Sequence, residues 1–118
     1  MPRRYKRSVI YAVNGVKKFI DQNPGNGHST AVLARKAGIS RNVLQEVFKD
    51  KFHSPIGLYR FKLRMNYATQ YLREGKSIKE TSIILQYSSP SSFTNAFRKF
   101  FRKSPSEWLN SKKANANK

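Results

Sequence analysis

Between Thr30 and Phe52 the chain (TAVLARKAGISRNVLQEVFKDKF) alternates apolar and polar positions in a way that predicts two short helices with a turn at Gly38. In the second of them Leu44, Val47, Phe48 and Phe52 fall at i, i+3, i+4 and i+8, one stripe at helical spacing. At 100° per residue Asn42, Glu46 and Lys49 point the opposite way and Gln45 lies on the flank. In the first helix Val32, Leu33 and Ala37 take the inner side, and small Ala34 lets the second helix approach closely. Gly38 suits the positive φ that a sharp helix-to-helix turn needs. The pattern predicts a helix-turn-helix whose outer face carries amides, a carboxylate and an ammonium, groups able to read base edges in a major groove.

The same periodicity organises the rest. Val9, Val13, Val16 and Ile20, widened by Ile10 and Phe19, predict a helix that Asn23-Pro24-Gly25-Asn26-Gly27 stops; His28-Ser29-Thr30 then offers hydroxyl caps. Ser54-Pro55 predicts a capped start for a helix running from Pro55 to about Glu74 and ending at Gly75. Its apolar face holds Ile56, Tyr59, Leu63, Tyr67 and Tyr71, with Ala68 and Leu72 beside it. Ser77-Ile78-Lys79-Glu80 is a capping box opening a helix through Ile83, Ile84 and Leu85. Ser88-Ser89-Pro90 starts another, with Phe93, Ala96, Phe97, Phe100 and Phe101 inside, and Ser104-Pro105-Ser106-Glu107 a last one bearing Trp108 and Leu109.

The second half repeats the first. Ala34, Ile39 and Ser40 match Ser82, Tyr87 and Ser88 at an offset of 48; Leu44, Phe48, Lys49 and Phe52 match Phe93, Phe97, Arg98 and Phe101 at 49. In the second unit Ser91, Thr94, Asn95 and Arg98 face away from the phenylalanines, and Arg102 continues that face. The expected fold is therefore all-α, two helix-turn-helix subdomains (9–53 and 76–109) joined by a long linker helix (54–75), about seven helices in all. A basic N-terminal arm (1–8), read as flexible, is either a solubilising end or a DNA-touching segment; the patternless tail 110–118 reads as disordered. The linker helix spans roughly 28 Å at 1.5 Å per residue, compatible with two helices entering successive major grooves about 34 Å apart.

Charge sharpens this picture. The 118 residues carry 24 Lys+Arg against 6 Asp+Glu, a formal +18, which draws the chain to polyanions. Arg60, Lys62 and Arg64, with Arg98, Lys99, Arg102 and Lys103, are candidate phosphate contacts or else solvated faces. No apolar run reaches the length of a membrane span, and an amphipathic membrane-surface role is disfavoured because the short helices need each other for burial. With no cysteine, and with His28 and His53 in turns, no metal-ligand cluster can be read. No nucleophile-elbow or phosphate-loop pattern occurs, so neither enzyme activity nor a cofactor is expected. The aromatic residues are at core spacing rather than arranged as a base-stacking platform.

Two such units bridged by a long helix, with a serine-proline start after each, resemble the DNA-binding domain of the AraC/XylS family of bacterial transcription regulators. The residues that carry the resemblance are Leu33-Ala34, Gly38-Ile39-Ser40, Leu44 and Phe48-Lys49 in the first unit, and Tyr59, Arg64 and Ala68 in the linker. In the second unit they are Ser77-Ile78, Tyr87, Phe93, Phe97-Arg98, Phe100, Ser104-Pro105 and Trp108. The resemblance implies a cytoplasmic, nucleoid-associated regulator that binds an asymmetric promoter site in double-stranded DNA and usually activates by contact with RNA polymerase. It also implies a sensor domain in most members, with no small-molecule ligand on this domain. By motif position the base-reading face falls on Arg41, Asn42, Gln45, Glu46 and Lys49, then on Ser91, Ser92, Thr94, Asn95 and Arg98. A charge-driven architectural DNA binder is the competing class.

Four places depart from the family pattern. Gln86 stands where glycine turns the second unit, and a non-glycine residue in the left-handed region costs on the order of 1–2 kcal/mol. A looser or differently shaped turn is expected there. Thr81-Ser82 is a polar pair where apolar residues are usual, His53 replaces a glycine at the end of the first recognition helix, and Glu46 puts a carboxylate on the reading face.

Overall fold

The computed structural model describes the backbone of residues 4–116 and the side chains of residues 4–112. Those residues form α1 (Arg7–Gln22), α2 (Thr30–Ala37), α3 (Arg41–Phe52), α4 (Ile56–Arg73), α5 (Ile78–Ile84), α6 (Pro90–Phe101) and α7 (Pro105–Ala116). The chain divides into two compact units, Met1–Leu63 and Arg64–Lys118, a division that falls inside α4.

Unit 1 is built on an aliphatic core. Val13, Val16 and Ile20 of α1 close on Leu33 and Ala34 of α2 and on Leu44, Val47 and Phe48 of α3, with Ile56 at the start of α4. Phe48 meets Phe52 and Tyr59 edge-on, at 4.8 and 5.4 Å between ring centroids. A polar clasp closes the other side: the Tyr59 hydroxyl donates to Asp21, which pairs with Lys17 at 2.8 Å, and the Lys17 ammonium also lies over the Phe52 and Tyr59 rings. The Asp21 carboxylate raises the pKa of Lys17, while burial, helped by that carboxylate, raises that of Tyr59.

Unit 2 is built on aromatic rings. Phe93 and Phe97 are fully buried; Phe97 touches Phe93 at 5.9 Å, Phe101 at 4.5 Å and Trp108 at 5.9 Å. Met65, Ala68 and Leu72 of α4 complete the interior together with Leu85. The expected single stripe on α4 is thus only half of it. Ile56, Tyr59 and Leu63 face the first core, but the residues buried beyond them are Met65, Ala68 and Leu72, half a turn round the helix. Tyr67 and Tyr71 are half-buried beside them. On α5 the inner residues are Thr81, Ser82 and Leu85, while Ile83 and Ile84 are exposed.

Two helix ends differ from expectation. Ser54 does not cap α4: its hydroxyl donates to the Pro55 carbonyl, and the first helical bond runs from the Tyr59 N–H to that same carbonyl, so Pro55 sits outside the helix. At the other end α7 continues to Ala116 instead of stopping at Leu109. Ser104 caps it at the Glu107 N–H with Pro105 in first position, no breaker follows, and Lys112 reaches back over the Trp108 ring. The expected tail 110–118 is therefore helical through Ala116; residues 117 and 118, and residues 1–3 of the expected arm, lie outside the described residues. Within that arm, Tyr5 is half-buried and α1 already begins at Arg7.

Candidate nucleic-acid interface

Each unit contains the same turn. In unit 1 Gly38 takes φ 77°, its N–H donates to the Arg35 carbonyl, and the Ile39 N–H donates to Ala34 at 3.0 Å. In unit 2 Gln86 takes φ 59°, its N–H donates to Ile83, and the Tyr87 N–H donates to Ser82 at 2.9 Å. These bonds repeat at an offset of 48, so the second turn has the shape of the first and the expected loosening does not occur. Tyr87 fixes it: its ring packs on Phe93 at 5.6 Å, and its hydroxyl, buried without a hydrogen-bond partner among the described residues, has a raised pKa from burial, opposed by nearby Arg64.

The recognition helices then start from equivalent caps. The Ser40 hydroxyl accepts from Val43 N–H and the Ser89 hydroxyl from Ser92 N–H. The true counterpart of Ser40 is therefore Ser89, and Ser88 is the single inserted residue that moves the offset from 48 to 49. The exits match as well. His53 (φ 60°) donates its N–H to the Lys49 carbonyl, and Arg102 (φ 63°) donates to Arg98, both at 2.8 Å.

On α3, Arg41, Asn42, Gln45, Glu46 and Lys49 are all exposed. Asn42, Glu46 and Lys49 lie opposite buried Leu44, Val47 and Phe48, Gln45 lies on the flank, and Arg41 opens the helix on the side of Phe48. On α6, Ser91, Asn95 and Arg98 are exposed and Thr94 is half-buried. Ser92 differs from these. Its hydroxyl is half-buried within the capping box, bonded to the Ser89 N–H and carbonyl, so its place is structural.

The phosphate candidates separate in the same way. Lys62, Lys99 and Arg102 are exposed. Arg60 is half-buried, its Nη2 donating to the carbonyls of Asn26 (3.0 Å) and His28 (2.7 Å), which clamps the loop between α1 and α2. Arg64 is half-buried too, its guanidinium 6.0 Å from the centre of the Tyr87 ring. Both functions depend on residues more than 20 positions away in sequence, beyond the reach of periodicity. The described residues contain no group of three or more metal-binding side chains, and no helix among them is long and apolar enough to cross a membrane.

This duplicated architecture has known counterparts. A helix-turn-helix domain family model matches residues 33–111, through about half of unit 1 and most of unit 2. The chain belongs to the AraC/XylS family. Among AraC/XylS relatives, the Msm operon regulatory protein of Streptococcus mutans is 35% identical over 98 residues, covering 81% of this chain and 35% of that protein. The regulatory protein SoxS of Escherichia coli K12 is 30% identical over 91 residues, covering 76% of this chain and 85% of SoxS. The chain thus spans about a third of the first relative and most of the second. The crystal structure of an AraC-type transcriptional regulator from Chromobacterium violaceum aligns with TM-score 0.70 at 26% identity, over 86% of this chain and 92% of that one. The DNA-binding domain of AdpA, crystallised with a target DNA, aligns with TM-score 0.80 at 19% identity, over 88% and 95%, and so shares the fold.

Proposed function

We propose that the chain binds one double-stranded promoter site by sequence, with α3 and α6 each reading a major groove, and that it regulates transcription there. The observation that carries this is the duplicated, capped helix whose exposed polar face lies opposite a fully buried one. Arg41, Asn42, Gln45, Glu46 and Lys49 read the first block of bases; Ser91, Thr94, Asn95 and Arg98 read the second. Because the two faces differ chemically, the site is asymmetric. Lys62, Lys99 and Arg102 neutralise phosphates and set register without carrying sequence information. Family membership supports activation through contact with RNA polymerase in the cytoplasm, and a sensor domain in the longer relatives.

Selection of bound sites from random duplex DNA tests this reading. The expected product is one asymmetric site with two short blocks about one helical turn apart, retained against excess unrelated DNA. Displacement by unrelated DNA at equal concentration would instead identify a charge-driven architectural binder, and a palindrome bound only by a dimer would remove the two-groove monomer.

A further inference from the structure

The segment just ahead of α1 is fastened to the flank of α3. Tyr5 packs against the unit 1 core, and its hydroxyl donates to Oδ2 of Asp50 at 2.5 Å, across 45 positions of sequence. Asp50 follows Glu46 by four residues, which places it about 40° further round α3. The anchor therefore borders the exposed face formed by Asn42, Gln45, Glu46 and Lys49. The backbone arrives extended, with Lys6 at φ −59° and ψ 145°, and turns into α1 where the Lys6 carbonyl accepts from the Val9 and Ile10 N–H groups.

Three cations flank Tyr5 in the sequence, and Arg4, Lys6 and Arg7 are all exposed. The chemistry of the clasp matters here. Asp50 is one of only six acidic residues in a chain of formal charge +18, yet the group bonded to it is a neutral phenol. The neighbouring cations are left in solvent, on a strip fastened to the flank of α3.

We propose that residues 4–7 form a third DNA-contacting element, in which Arg4, Lys6 and Arg7 neutralise phosphates immediately outside the first base block. Tyr5 and Asp50 are positioning residues: they hold this strip alongside α3 so that its charges meet the backbone without further ordering. The inference rests on the reading of α3 as a recognition helix.

The test is hydroxyl-radical footprinting and a salt titration on the selected site, with four proteins. They are the wild type, the triple variant Arg4→Ala/Lys6→Ala/Arg7→Ala, Tyr5→Phe, and Asp50→Asn, each checked for helicity. The triple variant should lose protection of the phosphates flanking the first block and keep both blocks. Its salt slope should become shallower by roughly two to three units, at 0.9 per phosphate. Tyr5→Phe keeps every charge and the ring packed on the core but should lose the same flanking protection, and Asp50→Asn should do so in part. If the triple variant protects the flank as the wild type does, the proposal is overturned while the recognition helices stand. If it loses the flank and Tyr5→Phe does not, the positioning role is overturned. If the wild type protects neither block, the reading of α3 and α6 fails first.

Discussion

Unit 1 turns from α2 to α3 on a glycine, packs aliphatic side chains behind α3, and presents arginine, amides, a carboxylate and an ammonium on the outside. Unit 2 makes the same turn on a glutamine, packs phenylalanines behind α6, and presents hydroxyls, one amide and one guanidinium. The backbone bonds of the two turns nevertheless agree within about 0.1 Å. A left-handed residue is thus required by the turn itself, and glycine is only the least strained way to supply it. Where unit 1 buries Leu33-Ala34, unit 2 buries Thr81-Ser82. Ser82 satisfies its hydroxyl on the Lys79 carbonyl at 2.7 Å, while Thr81 Oγ1 is buried with no hydrogen-bond partner. Unit 2 therefore carries a strained turn and a buried polar pair, and it also holds the larger ring cluster, whose contacts favour the fold.

The largest effect should come from breaking that cluster. Phe48→Ala and Phe97→Ala each remove a fully buried ring, a change worth about 3–5 kcal/mol. Phe97 meets three aromatic rings and Phe48 two, and each well-placed pair adds about 0.5–1.5 kcal/mol beyond buried area. Phe97→Ala should therefore be the more damaging in urea titrations followed by helicity. Equal losses would mean that volume alone counts and that ring geometry gives unit 2 no compensation.

Next comes readout, where the two faces should be separable. A carboxylate repels phosphate in general but accepts from the exocyclic amine of cytosine. Glu46→Gln should keep or raise total affinity while relaxing discrimination at one position of the first block by about 1–3 kcal/mol. Asn95→Ala should change only the second block. A panel of single-base substitutions in the selected site measures both. Uniform strengthening across the panel by Glu46→Gln would make Glu46 an electrostatic brake, not a reader.

How much of this could be seen in the sequence follows from the range of each interaction. Serine caps at Ser29, Ser77, Ser89 and Ser104 act within three residues, so they are legible, as are the apolar stripes of α1, α3 and α6. The same signal at Ser54 misleads, because its hydroxyl turns to the Pro55 carbonyl. The shift of stripe along α4 is not legible, because a periodicity argument assumes one buried face per helix and Met65 belongs to a second. The end of α7 was missed for a different reason: Asn110 onward has no apolar stripe, and helix propagation from a good cap needs none. Arg60 reads as a phosphate ligand in any list of cations; only the fold shows its guanidinium holding the carbonyls of Asn26 and His28. The Tyr5–Asp50 clasp is likewise a tertiary fact.

Exchanging the turn residues gives a smaller effect of opposite sign in the two units. Gly38→Ala places a Cβ in open space but at φ +77°, so its cost is backbone strain alone. A loss of about 1 kcal/mol is expected. Gln86→Gly relieves the same strain at φ 59° and should stabilise unit 2 by about the same amount. Thermal or urea unfolding of the two variants checks this. Destabilisation by Gln86→Gly would show that the glutamine side chain contributes something that the backbone argument omits.

The smallest expected difference is acid sensitivity, and it concerns how the two units cap their first motif helix. In unit 2 the Glu80 carboxylate accepts from the Ser77 N–H, and the bond from that N–H, with the Ser77 side chain, holds its pKa below the ordinary carboxylate value. A carboxyl whose folded pKa is depressed stabilises the fold above its unfolded pKa, and that contribution is lost as pH falls through the folded value. The start of α5 should therefore loosen on acidification, in a window beginning near the ordinary glutamate value of 4.5 and extending below it. In unit 1 the equivalent helix is capped by the Ser29 hydroxyl on Val32 N–H, with no acid in its first turn, so it has no matching proton-linked step. Amide shifts of Ser77 and Glu80, against those of Ser29 and Val32, followed from about pH 6 to about pH 2, read this directly. The first pair should titrate below the ordinary glutamate range, and Glu80→Gln, which keeps an acceptor of the same shape, should flatten the response. If the Ser29 cap titrates equally, or if the Ser77 amide ignores the loss of the Glu80 charge, the capping box in unit 2 is not the source of its acid sensitivity.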